Sequence, residues 1–294
     1  MPQPEEIWNV KRLLEWTTDY LKKNRSDSPR LDAEILLAHV LKWKRIELYT
    51  QFGYVPNDTR KAEFRDFVKR RANGEPVAYL VGTKEFYSLP FIVTPDVLIP
   101  RPETEHLVVE SLDLLAKSRK TEELHVCDVG TGSGAVAVAI AKHALKCRIT
   151  AIDISEKALH VARLNAKKHA VDERMTFIAG DLLESFTPSP QFDLIVSNPP
   201  YVSEGEYTKL PPDVKNFEPK TALVAGNDGM EVILRLIEQA ASRLDQNGSI
   251  LVELSPMISR NIAEFFKKSP QIWSDIRILS DFSGLERIVS AGKS

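Results

Sequence analysis

The chain reads as an α/β protein: a seven-stranded, mostly parallel sheet with an antiparallel last strand, a small N-terminal helical domain, and a β-hairpin connector between them. Three patterns carry that reading. Beyond residue 124, short apolar runs alternate with amphipathic stretches of helical period, as parallel strands covered by helices on both faces require. Residues 1–75 show helical spacing and no convincing strand. Residues 76–100 change to β-rich, proline-punctuated segments.

Taken in order, Ile7, Val10, Leu14 and Leu21 recur on one helical stripe, which a break at Asn24 to Pro29 ends. Leu31 to Leu41 reads as a short, heavily buried helix. Phe64, Phe67 and Val68 mark the apolar side of another, stopped by Asn73-Gly74. Thr83 to Tyr87 and Phe91 to Val93, separated by Ser88-Leu89-Pro90, form a strand pair. Pro102 and Glu103 suit the first turn of a helix whose inward residues are Leu107, Val108, Leu112 and Leu115. Strands are expected over 124–129, 148–153, 175–179, 192–197, 249–254, 275–280 and 286–291, with helices over 134–145, 156–169, 229–245 and 258–268. Only Phe282-Ser283-Gly284 separates the cores of the last two strands, too little for a helical crossover, so they pair antiparallel. The expected domains are therefore 1–75, 76–100 and 101–294.

Composition narrows the function classes. With 294 residues, 43% apolar and 27% charged, the chain has the make-up of a soluble globular protein. No run approaches the roughly 20 apolar residues of a membrane span. Met1 to Glu6 is polar, acidic and proline-containing, unlike a signal peptide. Cys127 and Cys147 have no paired spacing, which points to a reduced, cytoplasmic protein without a metal framework. The six histidines are scattered and show no metal-ligand spacing. Net charge is −2, and residues 1–80 carry 15 Lys and Arg against 12 Asp and Glu. That balance argues against a nucleic-acid grip spread over the surface. The basic cluster Arg60, Lys61, Arg65, Lys69, Arg70 and Arg71 reads as a solvated helix face.

Four strand ends carry the chemistry. Asp128-Val129-Gly130-Thr131-Gly132-Ser133-Gly134-Ala135 follows the first strand of the sheet. Its glycines let the backbone approach a ligand closely, and the next helix offers free N–H groups. Gly130, Gly132 and Ala135 also fit a dinucleotide fingerprint, whereas Asp128 ahead of the glycines is similar to motif I of class I S-adenosylmethionine methyltransferases. Asp153 ends the second strand about 20 residues beyond the glycines, where a carboxylate accepts ribose hydroxyls; capping of the following helix is the alternative. In Gly180-Asp181-Leu182, Asp181 suits an adenine amino group and Leu182 the face of the ring; a plain turn carboxylate is the alternative. Finally, Asn198-Pro199-Pro200-Tyr201 ends the run Phe192 to Ser197. Asn198 offers a side-chain carbonyl acceptor, Pro199 and Pro200 are rigid and lack N–H donors, and Tyr201 offers a flat ring. Together they describe a holder for a planar –NH2 group. A nicotinamide enzyme has no evident use for that second half of the cleft.

Beyond these motifs, the sequence resembles the HemK/PrmC family of release factor glutamine methyltransferases along nearly its whole length. The resemblance rests on Arg30-Leu31-Asp32-Ala33-Glu34-Ile35-Leu36-Leu37, Gly74-Glu75-Pro76-Val77-Ala78-Tyr79-Leu80 and Phe86-Tyr87-Ser88-Leu89-Pro90. It continues through Leu98-Ile99-Pro100-Arg101-Pro102-Glu103-Thr104-Glu105, the glycine turn, Val196 to Tyr201, and Phe217-Glu218-Pro219 with Ala222-Leu223. The Ile-Pro-Arg-Pro-Glu-Thr stretch is more family-specific than the glycine turn. One departure stands out: Glu253-Leu254-Ser255-Pro256 replaces the family's Glu-Ile/His-Gly, a loop read here as structural.

The resemblance implies a Rossmann-like class I methyltransferase fold. It also implies S-adenosyl-L-methionine held by Gly130, Thr131, Gly132, Ser133, Gly134, Asp153, Asp181, Leu182 and Asn198. Asn198, Pro199, Pro200 and Tyr201 would hold the glutamine of a Gly-Gly-Gln motif and form the catalytic group. Peptide chain release factors are then the partners of a cytoplasmic monomer, with the helical domain recognising them and no nucleic acid, membrane or metal involved. Two rivals remain open. An amino-methyltransferase acting on adenine or guanine would use the same tetrapeptide, but no basic target-recognition domain is visible. A non-catalytic docking module would not need the intact glycine turn, Asp153 and tetrapeptide together.

Overall fold

The computed structural model describes residues 7–120, 122–187, 189, 191–281 and 283–294, so Met1 to Glu6 and Phe282 lie outside the described residues. The chain forms two compact units: Met1–Gly82 with Pro211–Phe217, and Thr83–Leu210 with Glu218–Ser294.

The first unit is built from α1 (Val10–Lys23), α2 (Pro29–Leu41), α3 (Arg45–Thr50), α4 (Asp58–Ala72) and α5 (Val77–Val81). Asn9 and Asn57 cap α1 and α4, their side-chain oxygens accepting from Arg12 N at 3.0 Å and Arg60 N at 2.9 Å. Leu14, Leu21, Leu36, Leu37 and Leu48 are fully buried and pack with Phe64 and Val68. The basic run lies mostly on the outer face of α4, but Arg71 turns inward to Asp32 at 2.7 Å. Val77–Val81, which the sequence reading places in the connector, is a helical turn ended by Gly82 at φ +70°.

The second unit opens with the hairpin β1 (Thr83–Phe86) and β2 (Leu89–Ile92). Its turn is the residue pair Tyr87-Ser88, at φ +51° and +58°. Leu89 and Pro90 therefore belong to the second strand and not to the turn. Proline is tolerated there because the ribbon has only two strands and leaves an edge free. There follow α6 (Glu105–Lys117), β3 (Leu124–Val129), α7 (Ala135–His143), β4 (Cys147–Asp153), α8 (Glu156–Lys168), β5 (Met175–Ala179) and β6 (Phe192–Ser197). Then come α9 (Glu204–Tyr207), α10 (Pro212–Phe217, grouped with the first unit), α11 (Glu231–Ala240), β7 (Leu244–Glu253), α12 (Ser259–Lys267), β8 (Trp273–Ser280) and β9 (Glu286–Lys293).

The sheet has seven strands in the order β5-β4-β3-β6-β7-β9-β8, parallel except for β9, which runs antiparallel to both neighbours. Strand β7 starts five residues earlier than the sequence pattern implies, and α11 ends correspondingly early. The polar stretch Asp245 to Gly248 hides it: Asn247 sits at φ +65° and the register with β6 shifts there, so alternation fails locally. Alternate strand residues feed two cores. Val126, Val196 and Leu251 pack with α6, α7 and the hairpin's Phe86 and Phe91. Cys127, Val129, Ile195 and Ile250 pack with α11 and α12.

One buried amide ties the hairpin to the sheet's ligand end. Asn165 of α8 is fully buried; its Oδ1 accepts from Ile92 N at 2.7 Å. Its Nδ2 donates to Ile92 O at 2.9 Å and Ser133 O at 2.8 Å. Replacing Asn165 by Ala strands these backbone groups, and chemical denaturation should show a loss of about 2–3 kcal/mol.

Candidate active site

In an open parallel sheet, ligands bind outside the carboxyl ends of the strands where the strand order reverses. Here the chain runs from β3 outward to β4 and β5 and then returns to β6 on the other side of β3. A cleft of about 370 Å³ opens at that switch point. Among its lining residues are Gly130, Thr131, Gly132, Ser133, Asp153, Asp181, Leu182, Asn198 and Pro200. Gly134, Pro199 and Tyr201 are not among them.

The glycine turn is shaped by the neighbouring strand. Gly130 N and Thr131 N both donate to Ile152 O at 2.9 Å, and Gly130 and Gly132 take φ of +73° and +54°. A Cβ at either would enter open space in the cleft, so the backbone itself forms a cradle. Gly134 has a different duty. It begins α7 at φ +78°, and a Cβ there would lie 3.0 Å from Ala162 Cβ.

Asp153 is held in place from both sides, its Oδ2 accepting from Gly132 N at 2.8 Å and Oδ1 from Ser155 N at 2.9 Å. The cap of α8 is Ser155, whose Oγ accepts from Ala158 N. Burial raises the Asp153 pKa, partly offset by those backbone donors. Asp128 is buried beneath the turn and accepts from Thr131 Oγ1 at 2.7 Å; burial pushes its pKa up to about 7. Asp181 is paired with Arg235 at 2.8 Å, and Leu182 is buried at φ +51°.

Ser197, the last residue of β6, donates from Oγ to Val129 O at 2.6 Å and so locks the two strand ends together. Asn198 Nδ2 donates to Thr104 Oγ1 at 3.0 Å, and Thr104 Oγ1 donates to Glu253 Oε1 at 3.1 Å. Tyr201 packs into the core shared with α11 and α12, where burial pushes its hydroxyl pKa to about 12. The chain then stays ordered: Val202 N donates to Leu223 O and Ala225 N to Val202 O, each at 2.9 Å. Buried Glu218 secures this segment by accepting from Ile99 N at 3.2 Å and Arg101 Nη2 at 2.6 Å.

The sequence reading assigned no site role to Thr104, Glu218 or Glu253. The visible signal for Glu253 was a carboxylate closing the apolar run Ile250-Leu251-Val252, a position where an unpaired charge is costly. For Thr104 and Glu218 the only signal was membership of the two family-like stretches.

The lining suits a cationic ligand. Asp153 and the buried Asp128, the latter shifted toward neutrality, line the cleft without an ion-pair partner among the described residues, while its arginines are paired, Arg101 with Glu218 and Arg235 with Asp181 and Glu184. A dinucleotide pyrophosphate would meet acids; a sulfonium with an ammonium group would be welcomed. The described residues contain no metal-holding group of acids, histidines and cysteines, and no helix long and apolar enough to cross a membrane.

A glycine cradle at a switch point, with Asn198 at the adjacent strand end, is the arrangement of a methyltransferase, a family and fold that imply an S-adenosylmethionine-type donor. The comparisons agree. Residues 107–210 match the methyltransferase small domain and residues 12–82 the PrmC N-terminal domain. The hMettl16 catalytic domain, solved with a MAT2A 3'UTR hairpin, shares the fold: the TM-score is 0.56 at 16% identity, over 77% of this chain and 81% of that one. A release factor glutamine methyltransferase of Rhodopirellula baltica is 47% identical over 98% of this chain and 97% of its own length. Its namesake in Nitratidesulfovibrio vulgaris is 38% identical, over 96% and 94%. The chain belongs to the release factor glutamine methyltransferase family.

The site acids leave a mark on stability. Glu253, like Asp128, is pushed up by burial to about 7 from an ordinary value of 4.5. Between those values the folded state binds more protons than the unfolded state, so stability falls as pH rises. Urea titrations should show unfolding free energy declining from about pH 5 to pH 7, with a shallower decline in Glu253→Gln.

Proposed function

We propose that the protein methylates the side-chain amide nitrogen of the glutamine in the Gly-Gly-Gln motif of peptide chain release factors, with S-adenosyl-L-methionine as donor. Family membership supports the reaction, and the orientation of Asn198 beside an acid-lined cleft is the observation that carries the site. When bound, the donor supplies an electrophilic methyl group on a sulfonium.

The remaining work falls to this chain. The backbone of Gly130 to Gly132 approaches the ligand, Asp153 accepts the ribose hydroxyls, and Asp181 with Leu182 takes the adenine. A glutamine amide is a weak nucleophile because its lone pair is delocalised into the carbonyl. Asn198 Oδ1 and the Pro199 carbonyl accept its two hydrogens and aim the nitrogen, while Pro200 keeps the turn rigid and Tyr201, packed in the core, anchors the turn from behind. Orientation of this kind is worth much of the rate, since effective molarities reach about 10⁵ M or more. Fixed carbonyls also stabilise positive charge developing on nitrogen, the inverse of an oxyanion hole. The nitrogen gains the methyl and gives up one proton. The helical unit is the element we assign to recognising the folded release factor, in the cytoplasm where translation ends.

Transfer of labelled methyl to a release factor, to its Gly-Gly-Glu variant and to RNA tests the reading. Label is expected only in the first; methylation of the Glu variant or of RNA refutes the substrate. Asn198→Ala should lower turnover by about 10²-fold or more, with donor binding by calorimetry weakened yet measurable. Near-normal turnover would remove Asn198 from the site.

A further inference from the structure

We infer that Glu253 and Thr104 are positioning residues: they fix which way round the Asn198 amide stands, and thereby make the site select an amide over a carboxylate. The inference rests on the role proposed for Asn198.

A threonine hydroxyl has one hydrogen to donate and lone pairs to accept with. Thr104 Oγ1 lies 3.1 Å from Glu253 Oε1, which accepts, so the single hydrogen points there. What Thr104 turns toward Asn198 is therefore a lone pair, and Asn198 must answer with its NH2, at 3.0 Å. The other arm of the planar amide, Oδ1, is left for the cleft that Asn198 lines. An acceptor is what a substrate –NH2 requires. With Asn198 turned over, its NH2 would face the substrate, donor against donor.

Three observations separate this from a packing role. Glu253 is buried at the end of β7 among Leu251, Val252 and Leu254, each fully buried, where an apolar side chain would stabilise the fold more. Its second oxygen, Oε2, is buried with no hydrogen-bond partner among the described residues. Thr104 is itself buried. Burial also raises the Glu253 pKa to about 7, yet a proton on Oε2 leaves Oε1 an acceptor, so the relay works in either form.

The test uses the full chain with a release factor as substrate and its Gly-Gly-Glu variant as competitor. Thr104→Val keeps the shape and removes the hydroxyl, one of the two acceptors (Thr104 Oγ1 and the Glu253 carboxyl) that the Asn198 NH2 faces, and so loosens the orientation of the amide toward a carboxylate. Turnover should fall about tenfold or more, and the Glu variant should inhibit about tenfold more tightly relative to the glutamine KM. Adenosylmethionine affinity by calorimetry should stay near wild type. Thr104→Ser restores what Thr104→Val loses, and Glu253→Gln, which retains an acceptor, rescues turnover lost in Glu253→Ala. Wild-type turnover and discrimination in Thr104→Val overturn the inference, as does a parallel loss of donor affinity, which marks general damage. Glu253→Gln as inactive as Glu253→Ala also overturns it and makes the carboxylate a proton acceptor. Should Asn198→Ala be active, the holder itself fails; should it be inactive while Thr104→Val is normal, only the relay fails.

Discussion

The site depends on one lateral constraint: β3 and β6, far apart in sequence, end side by side at the same level. Val129 pairs with Ser197, and the Ser197 hydroxyl donates to the Val129 carbonyl across a sequence separation of 68. The residues immediately beyond those two positions are Gly130 and Asn198. A parallel pairing with this register places the glycine turn and Asn198 at adjacent strand ends without any loop having to reach. Slipping the register by one residue would turn every β6 side chain to the opposite face and carry Asn198 with it. The two separate cores, fed by alternate residues of the same strands, are what forbid that slip.

Polar groups around this point are arranged at some expense to the fold. Asp128 and Glu253 are buried carboxyls near the ends of β3 and β7, on either side of β6, and both are shifted toward neutrality by burial. Neither is neutralised by a direct ion pair; each accepts from a threonine hydroxyl instead, Thr131 and Thr104. Buried ionisable groups without ion-pair partners are uncommon in a structure optimised only for stability. They are common where a charge or a fixed acceptor is needed next to a ligand. Asp153 belongs to the same pattern, though its backbone donors hold it in one orientation.

The sheet was legible in the sequence because each of its strands is either a continuous apolar run or bounded by glycine and proline. The exceptions have local causes. The hairpin turn at Tyr87-Ser88 uses two non-glycine residues at positive φ, a choice that turn chemistry does not announce. The start of β7 hides behind Asp245 to Gly248. In the site, Gly130 to Ser133, Asp153 and Asn198 could be read because backbone freedom and acceptor chemistry are properties of single residues. Gly134 could not be told from its neighbours, since only the approach of Ala162 shows that its small size serves packing. Thr104 and Glu253 were invisible for a related reason. They are joined by hydrogen bonds spanning 149 residues, Thr104 to Glu253, and 94 residues, Asn198 to Thr104, and no local pattern encodes a partner at such distances.

That same distance explains why a short stretch before α6 carries more family character than the glycine turn. A glycine turn answers only to the local need for a close backbone approach, and many nucleotide-binding chains share that need. The stretch from Ile99 to Glu105 answers to four places at once. Ile99 N and Arg101 reach Glu218 and so secure the segment that carries the chain on from Tyr201. Thr104 joins Asn198 to Glu253 at the ends of β6 and β7. Glu105 accepts from Tyr87 N at 2.8 Å and holds the hairpin turn. Because each contact is made by a different residue of a rigid, proline-spaced segment, a change at one position is not compensated by sliding the others. What such a segment constrains is the position of Asn198, which Thr104 holds from the side. The alignment of that strand end therefore depends on a strap that the glycine turn does not supply.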